Sequence, residues 1–379
     1  MSVHLSAERR PPKAAKVVEV ETFVLHVPIP RTVTDAFNTG AVWGLPGVMV
    51  RTADGLTGTG FTSTLSHGDF AIKEIIDRYY APRLIGADAM CHQRIWDDLY
   101  WSDAHWVGRT GITQMALAAV DIALWDIKAK AFGLPLWRLI GGHKDGCVPS
   151  YNTDGGWLNF DIPRLIDEMS AIVEAGWTGV KMKTGSPSPR DDVKRVAAVR
   201  TALGGDIDLM IDVNQRWDLA TALTWAPRFE EYDIGWIEEP LDPDDIEGHA
   251  RLASATTIPV AVGEHVYSRT AFRDFIERGG VAYVQADVTR LGGITEWLAV
   301  AEMALAHHIP VIPHHADMMR VHQHLGVGHP ACPMIECIPW LQDIFERPAD
   351  IREGVFHPGD EPGASTTFSR EAFSKYRVA

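Results

Sequence analysis

Cysteine is scarce in this chain. Cys91, Cys147, Cys332 and Cys337 are its only four in 379 residues, too few and too scattered for a disulfide scaffold. Basic excess is lacking as well: the formal net charge is −15, and no Lys/Arg-rich block or basic aromatic stripe occurs, which argues against nucleic acid as a partner. Long apolar runs are also missing. The opening MSVHLSAERRPPKAAK contains no secretory core, and MALAAVDIALW is short and broken by Asp121, so neither a signal peptide nor membrane attachment is expected. A reducing cytoplasm and small-molecule partners are the expectation. An acidic exterior still permits an anionic substrate, because a metal and buried lysines make one cleft locally positive.

What is present is core material, with 46% hydrophobic and 22% charged residues. The length suits a β/α barrel of about 250 residues with a smaller companion. Residues 1 to about 15 read as a flexible leader. The strand VVEVETFVLHV follows, then GVMVRTADG and TGTGFTST around a turn at Asp54-Gly55, which predicts three antiparallel strands. From Asp69 to Gly133 the periodicity is helical and closes with ITQMALAAVDIALWDIKAKAFG. Residues 16–145 are therefore expected to form an α+β unit.

Strand and helix then alternate. CVPSYNT, TGVKMK, DLMIDVN, IGWIEEP, IPVAVGEH, AYVQADV, IPVIPHH and PMIECIP make eight strand candidates, which favours a closed α/β barrel over residues 146–350. The connection from Met318 to Pro333 reads as a poorer helix than the others, and residues 351–379 as a segment returning to the first unit.

Asp212, Glu238 and Glu264 each close a short apolar run, at two successive intervals of 26 residues. That interval is about one strand plus one helix, so the three carboxylates are expected side by side at consecutive strand ends. Two like charges about 4 Å apart repel by roughly 4 kcal/mol at an effective dielectric near 20, so a cation belongs among them. An oxygen-only ligand set suits Mg²⁺, or Mn²⁺, better than zinc and leaves positions for substrate oxygens.

Lys181 and Lys183 end the second barrel strand on one face. Turned inward, they would be desolvated near a metal, which lowers a lysine pKa towards use as a base; a solvated strand-end pair is the alternative. Asp287 and His314 end adjacent strands, and a carboxylate beside an imidazole fixes its tautomer and raises its basicity. For His314 alone, a core histidine would be the better reading. Glu336 ends the eighth strand; protonated by burial it would donate a hydrogen bond to a substrate oxygen, while a strand-end salt bridge would serve that position equally well. The histidines between His307 and His329 resemble a metal-rich tract by composition only, and Trp101 and Trp106 are candidates for excluding water.

These separated motifs, namely the KxK at Lys181 and Lys183, Asp212, Glu238 in EEP, Glu264 in GEH, Asp287, His314 and Glu336, resemble the mandelate racemase subgroup of the enolase superfamily. The resemblance spans nearly the whole chain. It implies a modified (β/α)₇β TIM barrel under an N-terminal α+β capping domain, and Mg²⁺-assisted removal of the proton α to a carboxylate to give an enediolate. It implies Asp212, Glu238 and Glu264 as metal ligands, Lys183 as base on one face, and His314 with Asp287 as acid or base on the other. Lys181 would neutralise the substrate carboxylate and depress the pKa of Lys183, while Glu336 would bond the intermediate. Asn214 would contact a substrate hydroxyl, Arg31 in the cap segment PIPRTVTDAFNTGAVWG would contribute with Thr34, Asp35 and Asn38, and His265 would reach substrate or support the site. A homo-oligomer, extending to an octamer, is the implied assembly.

Position 214 is Asn and not the His of one dehydratase branch, so His314 must protonate either a leaving hydroxyl or carbon. Departure of a β-hydroxyl gives a 2-keto-3-deoxy acid; return of a proton inverts the centre. Dehydration of an acid sugar, aldonate or aldarate, is the favoured expectation. A racemase or epimerase of an α-hydroxy acid is the alternative. A metal-dependent hydrolase would share the carboxylates but would not need the lysine and histidine.

Overall fold

The computed structural model describes residues 15–315 and 320–379, the side chain of Asp103 apart. The expected leader lies, but for Ala15, outside these residues. β1 (Val17–Thr34), β2 (Thr39–Thr52) and β3 (Thr57–Phe61) form an antiparallel sheet. Gly55 takes φ 90° in the β2–β3 turn, where a side chain would be strained. The β1–β2 ribbon runs further than the sequence suggested, through Val33↔Gly40 and Thr34↔Thr39, so the cap segment is the tip of a hairpin. Asp35 closes that tip by accepting from the Phe37 and Asn38 amides at 2.8 and 2.7 Å.

Helical turns between residues 69 and 107 lead into α1 (Ile112–Phe132), which is buried on nearly every side and rich in alanine. β3 lies against it so closely that a Cβ on Gly58 or Gly60 would meet the Ala123 or Ala119 carbonyl at 2.1 or 2.0 Å.

The barrel strands are β4 (Val148–Asn152), β5 (Gly179–Lys183), β6 (Asp208–Asp212), β7 (Ile234–Glu238), β8 (Val260–Val262) and β9 (Tyr283–Val284), paired in parallel in that order. β10 (Ile335–Cys337) returns to pair with β4 and closes the ring. The seventh candidate, IPVIPHH, is reduced to a single bridge, Val284↔Val311. Pro310 and Pro313 flank it, and a residue without an N–H cannot extend a ladder. Tyr151, Met210, Trp236, Ala261 and Ile312 fill the interior.

Helices α2 (Ile162–Glu174), α3 (Pro189–Leu203), α4 (Leu219–Trp225), α5 (Ile246–Ala253) and α6 (Arg269–Glu277) cover the outside. Each is capped by its own residue, respectively Asp161, Ser188, Asp218, Asp245 and Ser268. The next, α7 (Ile294–Ala306), begins at Gly293, which has no side chain to offer. Asp121 of α1 supplies the cap instead, accepting from Thr295 N at 2.9 Å and Thr295 Oγ1 at 2.6 Å. Only glycine fits at 293, since a Cβ there would lie 2.4 Å from Asp121 Oδ2.

The poorer helix is α8 (Val321–Gly328), short but with all eight residues buried. β11 (Asp350–Arg352) and β12 (Val355–His357) form a hairpin added to β4, so the barrel continues past the boundary expected at 350. The return to the first unit comes after it: Ala364 N donates to Asp126, Thr366 Oγ1 donates to the Thr59 carbonyl, and Val24 exchanges backbone hydrogen bonds with residues 378 and 379. No disulfide joins any of the four cysteines, and no helix among the described residues is long and apolar enough to cross a membrane.

Two stability predictions follow from these contacts. Asp121→Ala leaves the start of α7 uncapped at a buried junction and should cost about 2 kcal/mol, read by denaturant unfolding. His324 in α8 accepts from Trp137 N and bonds Ser365 Oγ, and burial pushes its pKa down to about 3. The unfolded chain therefore takes up the proton first as pH falls below about 6.5, and stability drains away between there and about pH 3. From pH 7 to pH 5 this one group should cost about 2 kcal/mol, and His324→Gln should flatten that part of the pH–stability curve.

Candidate active site

The register brings Lys183, Asp212 and Glu238 level across β5, β6 and β7, with Glu264 just beyond the end of β8. All four project at the ends of parallel strands, where the chain turns into loops. Four residues in these loops, Asn214, Gln215, Glu239 and His315, hold positive φ without being glycine, the kind of strain that collects at working sites.

Opposite charges tie the side chains together. Lys181 Nζ contacts Glu238, lies 2.8 Å from Glu336 Oε1 and 3.8 Å from Asp212 Oδ2. Lys183 Nζ is 2.5 Å from Asp212 Oδ2. His314 is held at both ring nitrogens, by Asp287 Oδ2 at 2.9 Å on Nδ1 and by Glu264 Oε2 at 2.5 Å on Nε2. Thr289 donates to the other oxygen of Asp287 through its amide and its hydroxyl, both at 2.8 Å.

Burial opposes every one of these charges, and the pairing decides which survive. Desolvation presses on both lysines, yet Glu238 and Glu336 hold the Lys181 pKa well above its ordinary value, and Asp212 raises that of Lys183. The expected lowering of Lys183 is thus present only in part: burial and Lys181 push it down, and Asp212 overrides them. Desolvation also works against the His314 imidazolium, but Glu264 and Asp287 bring its pKa up to about 10. Burial pushes Glu238 up to about 8 despite Lys181.

Glu336 takes the second of its two expected readings, the ion pair. Burial raises its pKa, but Lys181 and His314 more than offset this and hold it below the usual value. It is a carboxylate accepting from Lys181 and, at 2.9 Å, from His315 N, not a protonated donor.

Above these groups lies a cavity of about 280 Å³ between the strand ends and the β1–β2 hairpin. Lys183, Glu264, His314, Asn214 and His265 line it, with Asp35 and Asn38 from the hairpin tip. Asn214 Oδ1 has no protein partner and is free for a ligand. His265 shares its Nδ1 between Glu239, at 2.9 Å, and Gln215, at 2.6 Å. Lys181, Asp212, Glu238, Asp287 and Glu336 lie beneath, buried.

Arg31 does not reach the cavity, correcting that expectation. Its guanidinium is engaged by Glu168 Oε1 and Oε2 at 2.9 and 2.8 Å and by Asp154 Oδ1 at 2.8 Å, clamping β1 to α2. Thr34 is spent on Thr39 and Asn159. Trp101 and Trp106 are 62% and 86% exposed and do not line the cavity, whose aromatic wall is Phe37, Trp43, Trp157 and Trp340.

Sequence reasoning passed over Glu239, Gln215 and Gln285. Gln285 carried a signal: it stands two residues before Asp287, hence on the same strand face, and its Nε2 donates to Glu238 Oε2 at 2.5 Å. Trp236, two before Glu238, donates to that same oxygen at 3.1 Å. Among the described residues, His314, His315 and Glu336 form one group with ligand atoms within 4.8 Å, and Glu239, Glu264 and His265 another. Asp212, Glu238 and Glu264 do not converge so closely, because each is drawn to its own positive partner.

Arg31→Ala should lower stability by at most about 1 kcal/mol, since its ion pairs are part-exposed. Substrate affinity should change less than about twofold in steady-state kinetics, a larger loss being the mark of a guanidinium in the cavity.

Comparison with known proteins agrees with this architecture. Residues 19–141 match the mandelate racemase / muconate lactonizing enzyme N-terminal domain, and residues 164–372 match the enolase C-terminal domain-like family. The chain is 38% identical to L-talarate/galactarate dehydratase of Salmonella typhimurium, over 85% of this chain and 80% of that protein. It is 32% identical to 3,6-anhydro-alpha-L-galactonate cycloisomerase of Streptomyces coelicolor, over 96% and 99%. The crystal structure of L-talarate dehydratase from Polaromonas sp. JS666, complexed with Mg and L-glucarate, superposes with a TM-score of 0.89 at 34% identity, covering 96% of this chain and 98% of that one.

Proposed function

The chain belongs to the mandelate racemase/muconate lactonizing enzyme family of the enolase superfamily, and on that premise we propose that it is a Mg²⁺-dependent hydro-lyase acting on an acid sugar. The observation that carries this reading is the presence of Lys183 and His314 in one cavity, each already in contact with a carboxylate at a barrel strand end.

The donors fit the ion. Asp212, Glu238 and Glu264 offer only hard oxygens, and the positive charge they require is met here by Lys183, Lys181 and His314 in turn. Asp212, Glu238 and Glu264 would hold Mg²⁺, which would supply positive charge against the negative charge developing on the substrate carboxylate.

The remaining chemistry belongs to the side chains. Lys183, once Asp212 is engaged elsewhere, loses the strongest influence that raises its pKa, while burial and Lys181 lower it against the smaller raising effects of Glu264 and Asp35, and so becomes a better acceptor for the α-proton. Lys181, held by Glu336, stays charged and stabilises the enediolate. His314, fixed through Nδ1 by Asp287, presents Nε2 to the cavity and gives its proton to the departing β-hydroxyl. Asn214 orients a substrate hydroxyl through its unpartnered Oδ1 and its amide. The product is a 2-keto-3-deoxy acid. A homo-oligomer as large as an octamer and a cytoplasmic setting accompany this reading, the latter consistent with four cysteines in no disulfide.

The purified protein with Mg²⁺ in D₂O should release one water from a sugar acid and form a 2-keto product, read by mass spectrometry. Deuterium uptake without water loss would replace dehydration by racemisation or epimerisation. Lys183→Ala and His314→Asn should each lower kcat by at least about 100-fold. Glu238→Gln should first weaken Mg²⁺ binding, abolishing the rise in Tm that saturating Mg²⁺ gives the wild type.

A further inference from the structure

The cavity has two unlike halves. Every basic side chain that lines it, Lys183, His265, Arg290, His314 and His315, comes from the barrel. The cap contributes apolar surface through Ile29, Val33, Trp43 and Leu65, and with it the carboxylate of Asp35. Trp43 and Trp340 continue that wall with ring centroids 6.1 Å apart, and Trp340 leans on Trp157 at 5.2 Å.

The arginines nearest the cap side are committed elsewhere. Arg31 is bound to Asp154 and Glu168, and Arg216 lies exposed over the Phe37 ring, 5.3 Å from its centroid, outside the cavity lining. The cations of the barrel side are held at the strand ends, Lys183 by Asp212 and Arg290 3.9 Å from Asp287.

A substrate carboxylate must lie towards the barrel, where the positive charge is. The far end of the molecule then faces the hairpin. A second carboxylate placed there would leave water for an apolar wall to which, among the described residues lining the cavity, the cap contributes no cation, Arg216 meeting only the Phe37 ring, and it would lie next to the negative charge of Asp35. An uncharged end, by contrast, sets its C–H face on the tryptophans and its hydroxyls towards Asp35 and Asn38.

We infer that the substrate is a monocarboxylic sugar acid with an uncharged far end, and that the hairpin, through Asp35 and its apolar wall, rejects diacids. This rests on the acid-sugar reading above and narrows it. It parts from the talarate/galactarate dehydratases, which are named for diacids. The cavity, about 280 Å³, holds one small molecule of this kind.

The test is a calorimetric titration of the Mg²⁺-loaded full chain with matched pairs of aldonate and aldarate of the same configuration, such as gluconate with glucarate and galactonate with galactarate. Water loss is followed in parallel. The tightest ligand should be a monoacid, with its matched diacid at least about 100-fold weaker. A diacid that binds as well or better, and is dehydrated, overturns this inference and leaves the dehydratase reading intact. A preferred monoacid that binds without losing water sinks the dehydratase reading and leaves the preference standing. Binding by neither set overturns both. Asp35→Asn keeps the acceptor for the Phe37 and Asn38 amides but removes the charge, and should narrow the gap between paired acids several-fold. An unchanged gap would remove Asp35 from the selection.

Discussion

Six carboxylates, Asp212, Glu238, Glu239, Glu264, Asp287 and Glu336, are buried around the mouth of one barrel, and their charge has to be answered within it. The answer is a short set of cations: Lys181 and Lys183 on β5, His314 at the seventh strand position, and His265 beside Glu239. Removing one member would leave a buried charge without its partner, the costly half of any internal ion pair. The barrel's closure by β10 also depends on this balance, because Glu336 is the central residue of that strand and is held by Lys181.

The same pairing explains how acid and base groups coexist at one site. A lysine beside a carboxylate is a poor base, and an imidazole between two carboxylates is a poor acid. On the proposed reading each would become useful once its partner, Asp212 or Glu264, is taken by another charge, so that ligation and proton transfer would draw on the same two carboxylates.

Much of this was legible in the sequence because strand ends in a parallel barrel repeat at a nearly constant interval. Asp212, Glu238 and Glu264 announced themselves by that interval, and Asp287 with His314 by its continuation. Three kinds of feature were hidden. The seventh strand shrank to a bridge because Pro310 and Pro313 cannot donate, a local rule outweighed in the reading by its apolar run. Arg31 looked like a ligand for hydroxyls because nothing local shows that Asp154 and Glu168, more than a hundred residues away, take it. For Glu336 the sequence left a protonated donor and a strand-end salt bridge equally open, because the counter-charge from Lys181 that decides between them is a property of the closed ring.

The cap bonded to α7 by Asp121 has a bearing on access. A helix that supplies the N-cap of a barrel helix, with glycine the only residue that fits between them, cannot swing on a hinge without uncapping its neighbour. β3 is wedged against that helix as well. The hairpin tip from Asp35 to Asn38 is held differently: Asp35 bonds the amides of its own turn, and Phe37 meets the barrel through Arg216.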